Sequence, residues 1–324
     1  MASVQTGLGG ADPAFAGQVP PAGANAGPEE DLEPGDKRLS RGRIVLRRFL
    51  RNKTAVVGLI GYGILVLIAL IGPLVSPWGY QEIDQEAFLQ PPGGDHPLGT
   101  TQAGRDLLAL TIEGLRKSML ISIGVALIQT FVAACVGAFA AYFGGWLERL
   151  SLWVIDLLLV VPSFLIIAII MVGTGGGSGS VLVLILLLSA FGWMLSARVV
   201  RSMTMSVKNL EYVTAARYMG VRAPTIIFRH VIPNISSLLI IDATLAVAAA
   251  VLGETSLSFF GFGVQSPETS LGTILSEGQR NVASYPWIFQ SPAIVLVVMI
   301  LCVNFIGDGL RDALDPSSKS GGHA

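Results

Sequence analysis

The chain has 324 residues, of which 52% are apolar and only 13% charged, with a mean hydropathy of +0.65. Ordinary soluble domains carry about 25% charged residues, so this composition excludes one and points to a protein of the bilayer. A formal net charge of −1 gives no overall attraction to nucleic acid. Cys135 and Cys302 lie in apolar runs with neither CxxC nor Cys/His ligand spacing, so no metal site and no resident cofactor are expected.

Residues 1–36 are rich in Gly, Pro and Ala and end in an acidic cluster, Glu29, Glu30, Asp31, Glu33 and Asp36. They lack the apolar core of a signal peptide and too little of them is apolar to fold alone, so a disordered tail is expected. A basic juxtamembrane segment follows at 37–54, with Lys37, Arg38, Arg41, Arg43, Arg47, Arg48, Arg51 and Lys53. It can face anionic lipid, each basic residue adding about 1 kcal/mol near the surface, or lie along a partner protein.

Six apolar segments then reach the roughly 20 residues needed for a spanning helix: 55–75, 119–142, 151–172, 181–200, 235–254 and 288–308. Lipid leaves the backbone no external partners, so runs of this length are expected as helices. Between the first two, residues 76–118 form an external loop; Pro91, Pro92, Gly93 and Gly94 ahead of "HPLGT" suggest a small cap. Small residues in the first span (Gly58, Gly61, Gly63) and the second (Ala133, Ala134, Gly137, Ala138) permit close helix approach. Residues 119–310 make up a five-helix core, and 311–324 a C-terminal tail.

Basic residues set the expected orientation. Besides the opening segment they gather from Arg198 to His230 (Arg201, Lys208, Arg217, Arg222, Arg229), whereas 173–180, "GTGGGSGS", carries no charge. The positive-inside rule places both termini in the cytoplasm.

Within the core, residues 207–233 are polar and Gly-punctuated between two apolar runs. Leu210, Val213 and Ala216 read as a short helix, ended at Gly220 by a left-handed C′ residue. A second short helix begins at Pro224, uses Ile226, Ile227, Val231 and Ile232 as its apolar face, and is closed by Pro233. The result is either a bent knob that presents a surface to another protein or an amphipathic linker among lipid headgroups.

Charges inside spans are costly and point to function by default. Asp156 can pair with Arg198 or Arg201, or belong to a gate or the pathway; Asp242 has no evident partner and is the better candidate for a pathway or gate residue. Such carboxylates also suit a proton-driven carrier, although the two halves show no clear repeat. Nucleotide hydrolysis by this chain is not expected: "GLRKS" at 114–118 lacks the second Gly of a phosphate-binding loop, and His96, His230 and His323 form no catalytic group.

The order Ala215, Ala216, Gly220 and Pro233 resembles the cytoplasmic signature of permease subunits of ATP-binding cassette importers, with Thr214 replacing its glutamate, His230 its isoleucine and Ile232 its leucine. "HPLGTTQAGRDLL" (96–108), "RHVIPN" (229–234), "ETSLSFFGFGVQSPETSLG" (254–272) and "GDGLRDALDP" (307–316) are similar to the C-type subunit of oligopeptide and dipeptide importers, departing at Thr101 and Leu271. That resemblance, over about 41–317, implies an all-α, six-helix type I importer permease in a bacterial cell membrane. It implies a B-type permease partner, ATP-binding cassette subunits that use ATP and Mg, and an extracytoplasmic peptide-binding lipoprotein. It also implies that Glu211, Tyr212, Ala215, Ala216, Arg217, Gly220 and Pro233 serve ATPase coupling, and that Arg105 and Asp106 either meet the binding protein or pair locally. Dipeptide, nickel and glutathione importers share much of the pattern.

Overall fold

A computed structural model describes residues 41–173 and 179–314. The expected tail 1–36, Lys37 and Arg38, most of the Gly-rich connection 173–180 and the C-terminal tail beyond 314, His323 included, lie outside the described residues. Among the described residues the structure is helical, with only two isolated bridges, Gly93 to His96 and Thr100 to Asp106.

The elements in order are α1 (Arg41–Arg51), α2 (Lys53–Val75), α3 (Leu107–Phe143), α4 (Gly145–Val160), α5 (Ser163–Gly173), α6 (Ser180–Val207), α7 (Glu211–Tyr218), α8 (Ala223–Ile226), a π-helical turn Ile227–Val231, α9 (Ile232–Asn234), α10 (Ser236–Phe259), α11 (Leu271–Gln279) and α12 (Trp287–Leu314). Five of them, α2, α3, α6, α10 and α12, are long and apolar enough to cross a membrane. The expected span 151–172 is instead the pair α4 and α5, bent by 74°. Pro162 explains the break: it has no N–H to donate, and it holds Val161 in extended backbone, φ −73° and ψ 128°.

A second departure concerns the loop expected at 76–118, because α3 begins at Leu107 and runs for 37 residues. At 1.5 Å per residue that is about 55 Å, against a hydrocarbon core of about 30 Å. Asp106 starts the helix as its N-cap, its Oδ1 accepting the Ala109 N–H at 2.7 Å. The "GLRKS" fragment therefore sits within a continuous helix rather than in a phosphate-cradling loop.

Between helices in lipid, close packing replaces the hydrophobic effect as the driving force. α3 and α6 make the most extensive helix pair, and Gly137 is the closest point: a Cβ there would lie 2.5 Å from the Ala197 carbonyl oxygen and 2.8 Å from Val200 Cβ. Gly58 serves α2 against α12 in the same way, whereas Gly63, expected to help, has no neighbour within 4 Å of such a Cβ.

The joint between α1 and α2 is also well defined. Asn52 caps α2 by accepting the Thr54 and Ala55 N–H groups at 3.1 and 3.3 Å. Its Nδ2 donates to Asp312 Oδ2 at 3.1 Å. Phe49 and Ala55 pack with Ala313, so α1 is seated on the end of α12.

Candidate functional site

The segment 207–235 folds as two short helical pieces joined at Gly220, whose φ is +77°. The first ends in a complete Schellman motif: Gly220 N–H donates to the Arg217 carbonyl at 3.0 Å and Val221 N–H to the Ala216 carbonyl at 3.1 Å. The second starts at Ala223, one residue before the expected Pro224. Pro233 does not close it. Backbone hydrogen bonds shift to the π pattern, Ile232 N–H donating to the Ile227 carbonyl, and the helical path continues into α9 and then α10. An extra residue in the turn is a common way to accommodate a proline that cannot donate.

The knob has a distinct inner face. Val213, Ala216, Ile226, Ile227 and Val231 are buried against Ala138 of α3 and Val200 and Val207 of α6. Lys208 Nζ donates to the Ala141 carbonyl at 2.7 Å, and the Arg217 guanidinium lies 5.3 Å from the centre of the Tyr142 ring. Both contacts pin the knob to the last turn of α3.

The exposed side chains are Leu210, Tyr212, Tyr218 and Met219, the last two 87% and 75% exposed. Leu210, expected on the helical spacing of Val213 and Ala216, is corrected to the exposed N-cap residue of α7. Of the residues expected to couple, Glu211, Tyr212, Ala215 and Arg217 lie on exposed positions of α7. Ala216 is corrected to an inward packing residue, 3% exposed. Pro233 is exposed in α9, beside α1, and not on the face of α7. Tyr218 and Met219 were missed as surface residues; their place just before Gly220, in the last turn, is the signal that could have found them.

The intramembrane carboxylates separate. Asp156 of α4 pairs with Arg198 of α6, and Glu148 pairs with Arg201; these are clamps between two helices. Asp242 of α10 is half-buried, and its Oδ2 is shielded from solvent without a hydrogen-bond partner among the described residues.

At the other end of α3, residues 76–106 wrap around His96, which is buried. Its Nδ1 is 2.9 Å from Asp106 Oδ2 and its Nε2 is 3.3 Å from Asp84 Oδ2, while the Trp78 ring stacks on it at 4.8 Å. Asp106 is 2% exposed, with Oδ2 on His96 and Oδ1 on the Ala109 N–H, which is the local pairing of its two expected roles. Arg105 is half-buried and acts electrostatically on Glu277 of α11, again within the chain. Thr101 accepts the Ala103 and Arg105 N–H groups, both at 3.3 Å, and so holds the turn.

Burial opposes the charged form of His96, but hydrogen bonds to Asp106 and Asp84 outweigh it and raise the pKa above the ordinary imidazole value. The Glu86 N–H, aided by His96, holds Asp84 below the usual carboxylate range against desolvation. The His96 contribution is therefore full below about pH 6.5 and is lost as pH rises through the folded value. The Asp84 contribution is present above its unfolded value of 3.8 and is lost as pH falls through the folded one. Hydrogen exchange of 76–106, corrected for intrinsic rates, is expected to be slowest between about pH 4 and 6.5 and to accelerate above that window. A His96→Gln chain should lose the alkaline dependence; retention of it would reject His96 as its source.

One more buried group was not singled out by sequence. Glu254 of α10 is 0% exposed. Its Oε2 accepts from Ser118 Oγ of α3 at 2.9 Å and its Oε1 from Ser258 Oγ at 2.7 Å, with Ser270, the N-cap of α11, as a further partner. Ser118 Oγ also accepts the Leu271 N–H at 3.3 Å, and Ser258 Oγ the Val264 N–H at 3.2 Å. Each of these two serines thus links a backbone donor of the 260–271 region to the one carboxylate.

Comparison with known proteins agrees with this architecture. Residues 133–320 match the model of the binding-protein-dependent transport system inner membrane component, and residues 40–92 that of the N-terminal TM domain of oligopeptide transport permease C. The chain is 53% identical over 281 residues to the oligopeptide transport system permease protein OppC of Mycobacterium tuberculosis, covering 87% of this chain and 96% of that protein. It is 34% identical over 299 residues to OppC of Bacillus subtilis, with 92% and 96% covered. To the dipeptide transport system permease protein DppC of Alkalihalophilus pseudofirmus it is 33% identical over 298 residues, with 91% and 95% covered. A family match over more than half of the chain, relatives aligned almost end to end and a multi-pass helical structure lead to one conclusion: the chain belongs to the binding-protein-dependent transport system inner membrane components, a family of membrane transport permeases.

Proposed function

We propose that this chain is the C-type permease subunit of an ATP-driven oligopeptide importer in a bacterial plasma membrane and forms half of the translocation path. The exposed side chains of the knob carry the reading: Tyr212 and Tyr218 of α7, with Leu210 and Met219 at its two caps, stand out from a buried base that is pinned to α3. Such a surface suits the cleft of an ATP-binding subunit, and a rigid base transmits its movement. ATP can shift the access equilibrium only through its differential affinity for the two states.

In this proposal the bent pair α4 and α5 counts as one span, giving six, and both termini face the cytoplasm with the basic segments. A B-type permease completes the path, partner subunits bind ATP and Mg, and an extracytoplasmic lipoprotein delivers peptide. Oligopeptides are preferred over dipeptides, nickel or glutathione because the relative of highest identity among the three compared is named for oligopeptide transport. Asp242 lines the path, in keeping with its unpartnered Oδ2.

Purification of the chain from its native membrane in mild detergent, followed by mass spectrometry, is expected to recover a second permease, an ATP-binding subunit and a peptide-binding lipoprotein. Repeated recovery of the chain alone in stable form would instead favour a proton-driven carrier built around Asp242. In the recovered complex, reconstituted with peptide, Asp242→Asn is expected to slow uptake; an unchanged rate would return Asp242 to a packing role.

A further inference from the structure

Where α1, the end of α12 and the junction of α9 with α10 meet, they enclose an open cleft of about 620 Å³. That lies within the roughly 300–1,000 Å³ of ligand sites. Its walls are mainly apolar: Val45, Leu46 and Phe49 from α1 face Ile306 and Leu310 from α12, and Ser237 closes one side. The cleft is preformed, because Asn52 binds Asp312 and Phe49 packs with Ala313, so α1 does not depend on an occupant for its seat.

The charge on α1 identifies the occupant. Gly42, Val45, Leu46 and Phe49 form one stripe at helical spacing and line the cleft. Arg43, Arg47 and Arg51 form a second exposed stripe, displaced around the same helix, and Arg48 and Lys53 are also exposed. No Asp or Glu occurs from 41 to 53. A helix with an apolar face and an arginine face at a span's entrance lies in the plane of the membrane surface, where long basic side chains reach headgroups while their stems lie on apolar surface.

We propose that this cleft holds one acyl chain of an anionic phospholipid from the adjoining leaflet, with the headgroup phosphate on the Arg43, Arg47 and Arg51 stripe. The lipid joins α1 to the base of the knob, since Ser236 and Ser237 open α10 directly after α9. The inference rests on the chain's being a membrane protein and on no property of substrate or ATPase.

The test places a photo-crosslinking amino acid at Ser237 of the full chain, reconstituted in vesicles of phosphatidylglycerol and phosphatidylethanolamine in equal amounts with identical acyl chains. Mass spectrometry of the adducts is expected to show the anionic lipid in excess by at least about fivefold, the ratio that one basic residue supplies at a membrane surface. Arg43→Gln with Arg47→Gln should lower the ratio several-fold, Arg51 keeping a residual preference, without changing the cleft's volume. Equal adducts in the unsubstituted chain would overturn the proposal, as would a ratio unmoved by the two glutamines. Adducts to a peptide from residues 1–40 or to a second protein chain would also overturn it, by naming another occupant. Because no ATP, peptide or partner enters the assay, its result is independent of whether the importer reading holds.

Discussion

Gly220→Pro is expected to abolish ATP-driven uptake while the chain still reaches the membrane in normal amount. The glycine sits at φ +77°, and proline is held near −65°, so the turn between the two parts of the knob cannot form. Proline also removes the N–H that donates to the Arg217 carbonyl at 3.0 Å. The spanning helices lie outside this turn, which is why insertion should survive. Gly220→Ala separates backbone from volume: no atom lies within 4 Å of the added Cβ, so only the left-handed conformation, costing roughly 1–2 kcal/mol, is penalised. Partial uptake is expected from it. Normal uptake by the proline chain, with membrane levels measured in the same cells, would remove the knob from the coupling mechanism.

Glu254→Ala should be the most destabilising single change in the core. It leaves the hydroxyls of Ser118 and Ser258, and with them Ser270, without the acceptor toward which they converge. Orphaning buried donors and emptying the space costs on the order of 3 kcal/mol or more. The consequence should appear as a lower melting temperature of the detergent-purified chain and faster exchange across 260–273. Glu254→Gln keeps the shape but turns an amide NH2 toward hydroxyl donors, so it should fall between the two. A Glu254→Ala chain that melts with the unsubstituted protein would show that the serines find other partners.

The helices that cross the membrane were legible because length and apolar content suffice to specify them. So was the turn at Gly220, where one residue type is required by backbone sterics. So was the inner face of the knob at Val213, Ala216, Ile226, Ile227 and Val231, but not at Leu210, which lies before the helix in extended backbone and is exposed. The break at Pro162 was missed because hydropathy is blind to a missing N–H: the residues on both sides are equally apolar, and only the bend reveals two helices. The early start of α3 was hidden by Glu113, Arg116 and Lys117, which look like loop residues until they pair with one another along a helix. Asp106 ahead of "LLAL" was a usable N-cap signal. Glu254 was beyond reach, since Ser118 lies 136 positions away and its relation to the carboxylate exists only in the packed structure. For Arg105 and Asp106 the sequence leaves a partner contact and local pairing both open for the same reason: burial by distant segments does not appear in local sequence.

The unusual length of α3 has a mechanical consequence. Its first turn is anchored in the cap through Asp106 and His96, its last turn holds the knob through Ala141 and Tyr142, and no proline interrupts the 37 residues between. A helix without a break behaves as a lever rather than a chain of joints. Tilting a rod of about 55 Å by about 5° displaces one end by about 5 Å relative to the other. A shift of the knob is thereby felt at the opposite end of the molecule without any local unfolding in between.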